Sequence, residues 1–304
     1  MPGIDDHESR SLNTTHPLIR KLCDRGPVIT DGAWGTQLQA SGLAPGEVPD
    51  LWNLTHPKEV AAVARAYVEA GSQIILTNTF GANRVRLAES GSADRVLEIN
   101  KAGVALSREA AGKDAMVFAS LGPSGKLLMN GDVTEEELLA AFTEQARALA
   151  GADGLVVETM QDLAEARLAT AAAKTTGLPV VASMVFDSGK DKDRTMMGTT
   201  PEQAAAGLLE AGADVVGANC GQGIAGFVTI CARLKAAANG HPVWIKANAG
   251  LPQMRDGKAV YATTAAEFTA TVPAVLAAGA DFIGGCCGTS PEFIRAIHRQ
   301  LCAR

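Results

Sequence analysis

The sequence predicts a (β/α)8 TIM barrel, a closed parallel sheet wrapped by helices, and three observations predict it. A helix rich in Ala, Leu and charge repeatedly runs through a Gly-Ala-Asp-like turn into a short β-branched strand. The copies are "VEAGSQIILTNTF", "LAGADGLVVETM", "LLEAGADVVGANC" and "LAAGADFIGGCC". Strands that read as continuous Val/Ile/Leu runs between helices imply a parallel sheet covered on both faces. A chain of 304 residues has room for eight such units. The competing fold is an open doubly wound sheet, which commonly carries a Gly-rich dinucleotide turn after its first strand. Here that turn reads "DGAWGTQ", not G-x-G-x-x-G.

In chain order the strands fall in "GPVITDGAWG", "SQIILTNTF", "AMVFASLGP", "DGLVVETM", "PVVASMVF", "ADVVGANC", "PVWIKANAG" and "ADFIGGCC". Helical segments begin near His56, Asn83, Thr134, Gln161, Thr200, Ile224, Thr264 and Ser290. Several carry cap or first-turn signals, among them "TEEE" at Thr134, "TTPEQ" at Thr199 and "TSPEF" at Thr289. Residues 1–16 are polar and acidic and read as a flexible tail, which leaves 17–304 as one barrel domain.

Composition narrows the function classes. The chain is 47% hydrophobic and 20% charged, as expected of a soluble globular domain. A net charge of −6 argues against a nucleic-acid partner, which wants a clustered basic face. No apolar stretch approaches the roughly 20 residues that span a bilayer, and the N-terminus lacks the apolar core of a signal peptide. Six cysteines are too sparse for a disulfide scaffold, so the expectation is reduced thiols in the cytoplasm.

Barrel active sites lie at the C-terminal ends of the strands, where the βα loops share one mouth. Those ends carry Asp31, Asn78 with Thr79, Gly122, Glu158, Ser183, Asn219 with Cys220, Asn248, and Cys286 with Cys287. Three cysteines thus converge on the rim from strands six and eight. Cys23, Cys231 and Cys302 fall in helical stretches and read as small packing residues. Three thiolates with an open fourth position suit a catalytic zinc, although packing is the alternative, because the spacing is not CxxC…CxxC. The adjacent pair requires a sharp backbone turn, for which Gly284, Gly285 and Gly288 offer freedom. A catalytic thiol would need a histidine beside it, and His7, His16, His56, His241 and His298 all fall in tail, loop or helix. From pattern alone Asp31 reads equally as a turn residue and Glu158 as a rim carboxylate paired with an arginine.

The motifs "DGAWGTQLQ", "TNTFGAN", "DGLVVETMQD", "GANCGQG", "NAGLP" and "GGCCGTSPEFIRAI" resemble the homocysteine S-methyltransferase family. The likeness runs from about Val28 to Ile297 and is greatest to the homocysteine-binding module of cobalamin-dependent methionine synthase. It implies an enzyme that forms methionine from homocysteine. Cys220, Cys286 and Cys287 would be zinc ligands, with the substrate thiol in the open position. Asp31 and Glu158 would hold the homocysteine ammonium, and Asn219 and the backbone at Ala119 and Ser120 would orient the substrate. The chemistry is coherent: a free thiol with a pKa of about 8.5 is mostly protonated at neutral pH, and Zn²⁺ favours the thiolate.

The methyl donor is less legible. No D-x-H-x-x-G stretch is present to ligate a corrinoid, and "DDHESR" lacks the glycine. The reading favours methylcobalamin on a separate corrinoid protein, with direct transfer from S-methylmethionine as the alternative. Betaine is disfavoured. Quaternary ammonium groups call for aromatic cages, the chain has three Trp and two Tyr, and Thr159 stands where betaine-using relatives carry tyrosine. Trp34 and Trp52 are the aromatic residues expected near the mouth. Two other classes remain: a non-catalytic zinc- or thiol-binding subunit, and a metal-independent aldolase or isomerase barrel using Lys246.

Overall fold

The computed structural model describes residues 13, 16–255 and 258–302. The expected tail lies outside these, apart from Asn13 and His16. His16 is part of the first helix's cap: its Nδ1 accepts from the Leu18 N–H at 3.3 Å.

The barrel strands are β1 (Val28–Ile29), β2 (Ile74–Ile75), β3 (Met116–Leu121), β4 (Gly154–Met160), β5 (Val180–Met184), β6 (Val215–Gly223) and β7 (Val243–Asn248). A two-stranded hairpin, β8 (Gln253–Arg255) with β9 (Lys258–Val260), follows, and β10 (Phe282–Gly285) completes the barrel. The eight-stranded sheet runs β1-β10-β7-β6-β5-β4-β3-β2, all parallel. A parallel bridge between Thr30 and Ile74 closes β1 onto β2. The result is a (β/α)8 barrel.

The helices begin where their caps direct. Thr134, Thr200 and Thr264 each form a full capping box with Glu137, Gln203 and Glu267, starting the helices Glu135–Ala148, Pro201–Glu210 and Ala265–Ala277. In the "TTPEQ" stretch the cap is therefore Thr200 rather than Thr199. Asn83 and Asp162 cap Arg84–Ala88 and Leu163–Lys174 through their side-chain oxygens. Among the described residues, no helix is long and apolar enough to cross a membrane.

Two-residue periodicity sorts the strand side chains into two cores. One apolar residue from each barrel strand fills the interior: Val28, Ile74, Phe118, Val156, Val181, Val215, Trp244 and Phe282, joined by Ile19 from the helix Pro17–Cys23. The alternate residues, such as Ile29, Ile75, Ala119, Val157 and Ile245, pack outward against the helices. Two residues beyond the inner ring the same facing turns polar, at Ser120, Glu158, Ser183 and Lys246. Two further on stand Asn219, Asn248 and Cys286. The apolar ring is thus a floor, and the chemistry stands on it.

The loops around the mouth are tied to one another. Asp50, in the helical turn Pro49–Leu51, accepts from the Gly81 N–H at 2.9 Å, linking the loops that follow β1 and β2. Burial pushes the Asp50 carboxyl up from its usual 3.8 to about 6, against the opposing pull of that hydrogen bond and of Arg86. The folded state therefore binds the proton more tightly than the unfolded chain. Below about pH 4 this costs nothing, and the penalty grows as pH rises through 6, to about 3 kcal/mol at most. Asp50→Asn is expected to raise Tm at pH 8, with the gain fading as pH falls toward 4. Thermal melts across that range check this, and a pH-independent difference contradicts it.

Candidate metal and substrate site

The three cysteines meet. The sulfurs of Cys220, Cys286 and Cys287 all lie within 4.8 Å of one another, and Cys220 and Cys287 are 3.7 Å apart. All three are half-buried. Cys220 adopts φ 61°, a left-handed conformation uncommon outside glycine, and the β6–β7 register slips between Asn219 and Gly223. That kink turns the Cys220 side chain back toward the mouth. The glycines around the adjacent pair divide their roles. Gly288, at φ 80°, supplies the expected turn, whereas Gly284 is an ordinary strand residue. At Gly284 a side chain would strike the Asp31 carbonyl at 2.6 Å, so glycine there allows β1 and β10 to close. Ala247 C=O accepts from the Cys286 N–H at 2.7 Å, and the Ala249 N–H donates to Cys287 C=O at 3.0 Å. The pair is thereby pinned to the end of β7.

Hydrogen bonding inside the trio pulls individual thiols in both directions, while burial and the neighbouring sulfurs push up. Cys220 and Cys287 rise to about 12, and Cys286 also rises. Without a cation the cluster therefore keeps its protons. Between Ala247 and Ala249, at the end of β7, the buried Asn248 Oδ1 has no hydrogen-bond partner. Three soft donors within reach of one another fit a tetrahedral thiophilic metal such as zinc and fit magnesium or calcium poorly.

Below the sulfurs lies a buried charged cluster. Asp31 is fully buried. Its Oδ2 accepts from Trp34 Nε1 and the Leu76 N–H, both at 2.7 Å, and its Oδ1 pairs with the Lys246 ammonium. Burial works to lower the Lys246 pKa, but the charges of Asp31 and Glu158 outweigh it and hold the ammonium above its ordinary value. Glu158 is 8% exposed and accepts from the Ser120 hydroxyl at 2.5 Å. Burial raises its pKa, with Lys246 and Ser120 pulling the other way. Two carboxylates face one ammonium, which leaves one negative charge unmatched.

Residues 28–301 match the family model described as homocysteine S-methyltransferase. The chain belongs to the homocysteine S-methyltransferase family. Among curated relatives, the methionine synthase of Mycobacterium tuberculosis is 30% identical over 291 residues, covering 89% of this chain and 24% of its own length. Betaine–homocysteine S-methyltransferase 1 of Danio rerio is 30% identical over 310 residues, covering 94% of this chain and 76% of its own. The chain thus spans about a quarter of the methionine synthases it matches. Among solved structures, the metallated form of the homocysteine methyltransferase MmuM from Escherichia coli superposes with a TM-score of 0.77 at 23% identity. The match covers 94% of this chain and 100% of that one, and it speaks for the fold.

The positions expected from sequence separate into those that converge and those that do not. Cys220, Cys286, Cys287, Glu158 and Ser120 gather at one mouth, whereas Asp31, expected to hold the substrate ammonium, is fully buried beneath it with both oxygens bonded to protein. Ser120 points its hydroxyl at Glu158, but its N–H donates to Thr77 Oγ1 and its C=O accepts from Thr79, so that backbone is already engaged. Ala119 packs outward in the core and presents no side chain to the mouth. Asn219 is fully buried and bonded entirely to protein. Trp52 stacks on His56 with ring centroids 4.2 Å apart and is buried, and Trp34 serves Asp31. Sequence reasoning missed Tyr261, whose ring occupies the space a side chain at Gly288 would need. It also read Lys246 only as an aldolase or isomerase lysine, although the alternation of strand seven already faced it inward. Large surface grooves lie elsewhere, for example one of about 740 Å³ beside Arg84 and Glu144.

Truncating Lys246 leaves the fully buried Asp31 without its countercharge. Lys246→Met is therefore expected to cost about 3–5 kcal/mol in urea unfolding, with much of the loss recovered when Asp31→Asn is added. Additive losses in the double variant contradict the pairing.

Proposed function

We propose that the chain is a zinc-dependent homocysteine S-methyltransferase that forms methionine, with Cys220, Cys286 and Cys287 as the metal ligands. The observation that carries this reading is the shared mouth: three converging sulfurs lie above a buried carboxylate cluster with one uncompensated charge. Zinc held there supplies the Lewis acidity that lets the homocysteine sulfur act as a thiolate at neutral pH.

The chain's own residues bind and orient. Glu158 receives the substrate ammonium, and Ser120 fixes the rotamer of its carboxylate. Lys246 and its bonded partner Asp31 complete a set of two anions and two cations once substrate is present. A buried charge-assisted contact of this kind contributes about 1.5–3 kcal/mol. The apolar ring below bars water from beneath, so these electrostatic contacts act in a low dielectric. A cytoplasmic location suits the cluster, because sulfurs as close as Cys220 and Cys287 need a reducing compartment to remain free.

The methyl group, in this proposal, arrives on a methylated corrinoid carried by a separate protein or module. Exposed apolar residues lie on the connections after β3, β5 and β7: Met129, Met196, Leu251, Met254 and Val260. They suit a broad apolar partner better than a small ion. Trp52 is buried against His56, so one of the two tryptophans expected at the mouth is withdrawn from any aromatic cage for betaine. Direct transfer from a small donor such as S-methylmethionine is the second reading. A zinc-binding subunit without turnover is what remains if no donor works.

Metal analysis is expected to find about one zinc per chain, lost on Ser substitution at any of the three cysteines. Full retention in one variant removes that residue from the ligand set. Glu158→Ala is expected to weaken homocysteine binding 10-fold or more at little cost to Tm, read by calorimetry and melting. A donor panel with homocysteine held fixed decides among methylcobalamin, S-methylmethionine and betaine, and no product with any donor sinks the enzymatic reading.

A further inference from the structure

Asn219 spends its whole carboxamide on protein. Its Oδ1 accepts from the Thr159 N–H at 2.8 Å and from the Ser183 hydroxyl at 2.5 Å. Its Nδ2 donates to Thr159 Oγ1 at 2.7 Å and lies 3.8 Å from Cys286 Sγ. One amide thus ties β4, β5 and the end of β10 together from its place on β6. The residue it grips most closely is unusual. Thr159 holds φ 61°, a left-handed conformation that a β-branched residue strongly disfavours, and it sits where the β4–β5 register slips between Val157 and Met160. Thr159 directly follows Glu158, and Asn219 directly precedes Cys220. The grip therefore joins the strand end bearing the carboxylate to the strand ends bearing the sulfurs.

We propose that Asn219 is a positioning residue that clamps Thr159 in its left-handed conformation. In doing so it sets the span between the Glu158 carboxylate and the cysteine cluster. This rests on the reading of Glu158 as the ammonium anchor and of the cluster as the thiol anchor. In an amino-acid thiol the ammonium and the sulfur are separated by a carbon chain of fixed length. A rigid span therefore selects homocysteine over cysteine, which is one methylene shorter. Released from the clamp, Thr159 returns to negative φ, the end of β4 re-registers, and Glu158 loses its fixed distance from the sulfurs. Glycine adopts positive φ at little cost, so Gly at 159 makes the clamp dispensable.

The test uses the zinc-loaded full chain as wild type, Asn219→Ala, Thr159→Gly and the double variant. Tm, zinc content, and homocysteine and cysteine affinities by calorimetry are measured for each. The proposal expects Asn219→Ala to lower Tm, to weaken homocysteine binding 10-fold or more, and to shrink the homocysteine-over-cysteine preference, with zinc retained. Adding Thr159→Gly restores most of the Tm and the preference. If Asn219→Ala fails to fold, a folded double variant supports the clamp and an unfolded one overturns it. Additive Tm changes, or unaltered homocysteine affinity in Asn219→Ala, also overturn it. A wild-type chain that ignores homocysteine overturns the proposed substrate instead, and the Tm coupling then decides the clamp alone.

Discussion

Two strands that are not neighbours must deliver sulfur to one point, and the site depends on how that gap is closed. β7 lies between β6 and β10, and strands two apart stand about 10 Å from each other. The three sulfurs nevertheless fall within 4.8 Å. Backbone geometry supplies the difference: a left-handed Cys220 on one side, and on the other a turn through Gly288 pinned to Ala247 and Ala249. The intervening β7 ends in Asn248, whose Oδ1 has no hydrogen-bond partner among the described residues. Such strained conformations persist where surrounding contacts over-determine them. Here those contacts are the barrel's own hydrogen bonds.

The interior is layered, by strand alternation at Glu158 and Lys246 and by departures from it at Asp31, Cys220 and Cys287. Apolar residues close the bottom, the Asp31, Glu158 and Lys246 charges form the middle, and the thiols stand at the top. Placing an ion pair as deep as Asp31–Lys246 is expensive, and it is tolerated because Trp34 and the Leu76 N–H saturate the remaining lone pairs. Glu158 has no cation bonded to it, so the charged layer is one positive group short. That shortage makes the middle layer complementary to an ammonium, as the upper layer is to a soft metal.

The fold was legible because each βα unit repeats one local pattern, and because Thr134, Thr200 and Thr264 announce their helices through capping boxes. The cysteine cluster was legible once eight strands were counted, since the apolar run of strand six stops just before Cys220 and that of strand eight just before Cys286 and Cys287. Contacts across the barrel were not. Asp31 and Lys246 are separated by 215 positions; alternation faced Lys246 inward, but Asp31 is out of step with Val28, so neither its facing nor the pairing could be read locally. Trp52 was expected at the mouth and is instead buried in the short helix Trp52–Thr55, stacked on His56 and packed into the outer core. Thr159 resembles any other strand residue until its φ is known. Positive φ at a β-branched residue is invisible to propensity, which predicts against it.

The central claim is that the three thiols form a metal site with one position for the substrate sulfur. X-ray absorption at the zinc edge of the loaded chain reads this directly. The account predicts three sulfurs near about 2.3 Å with one lighter ligand, and four sulfurs after homocysteine is added. A sulfur shell of fewer than three, or one that homocysteine leaves unchanged, would contradict it.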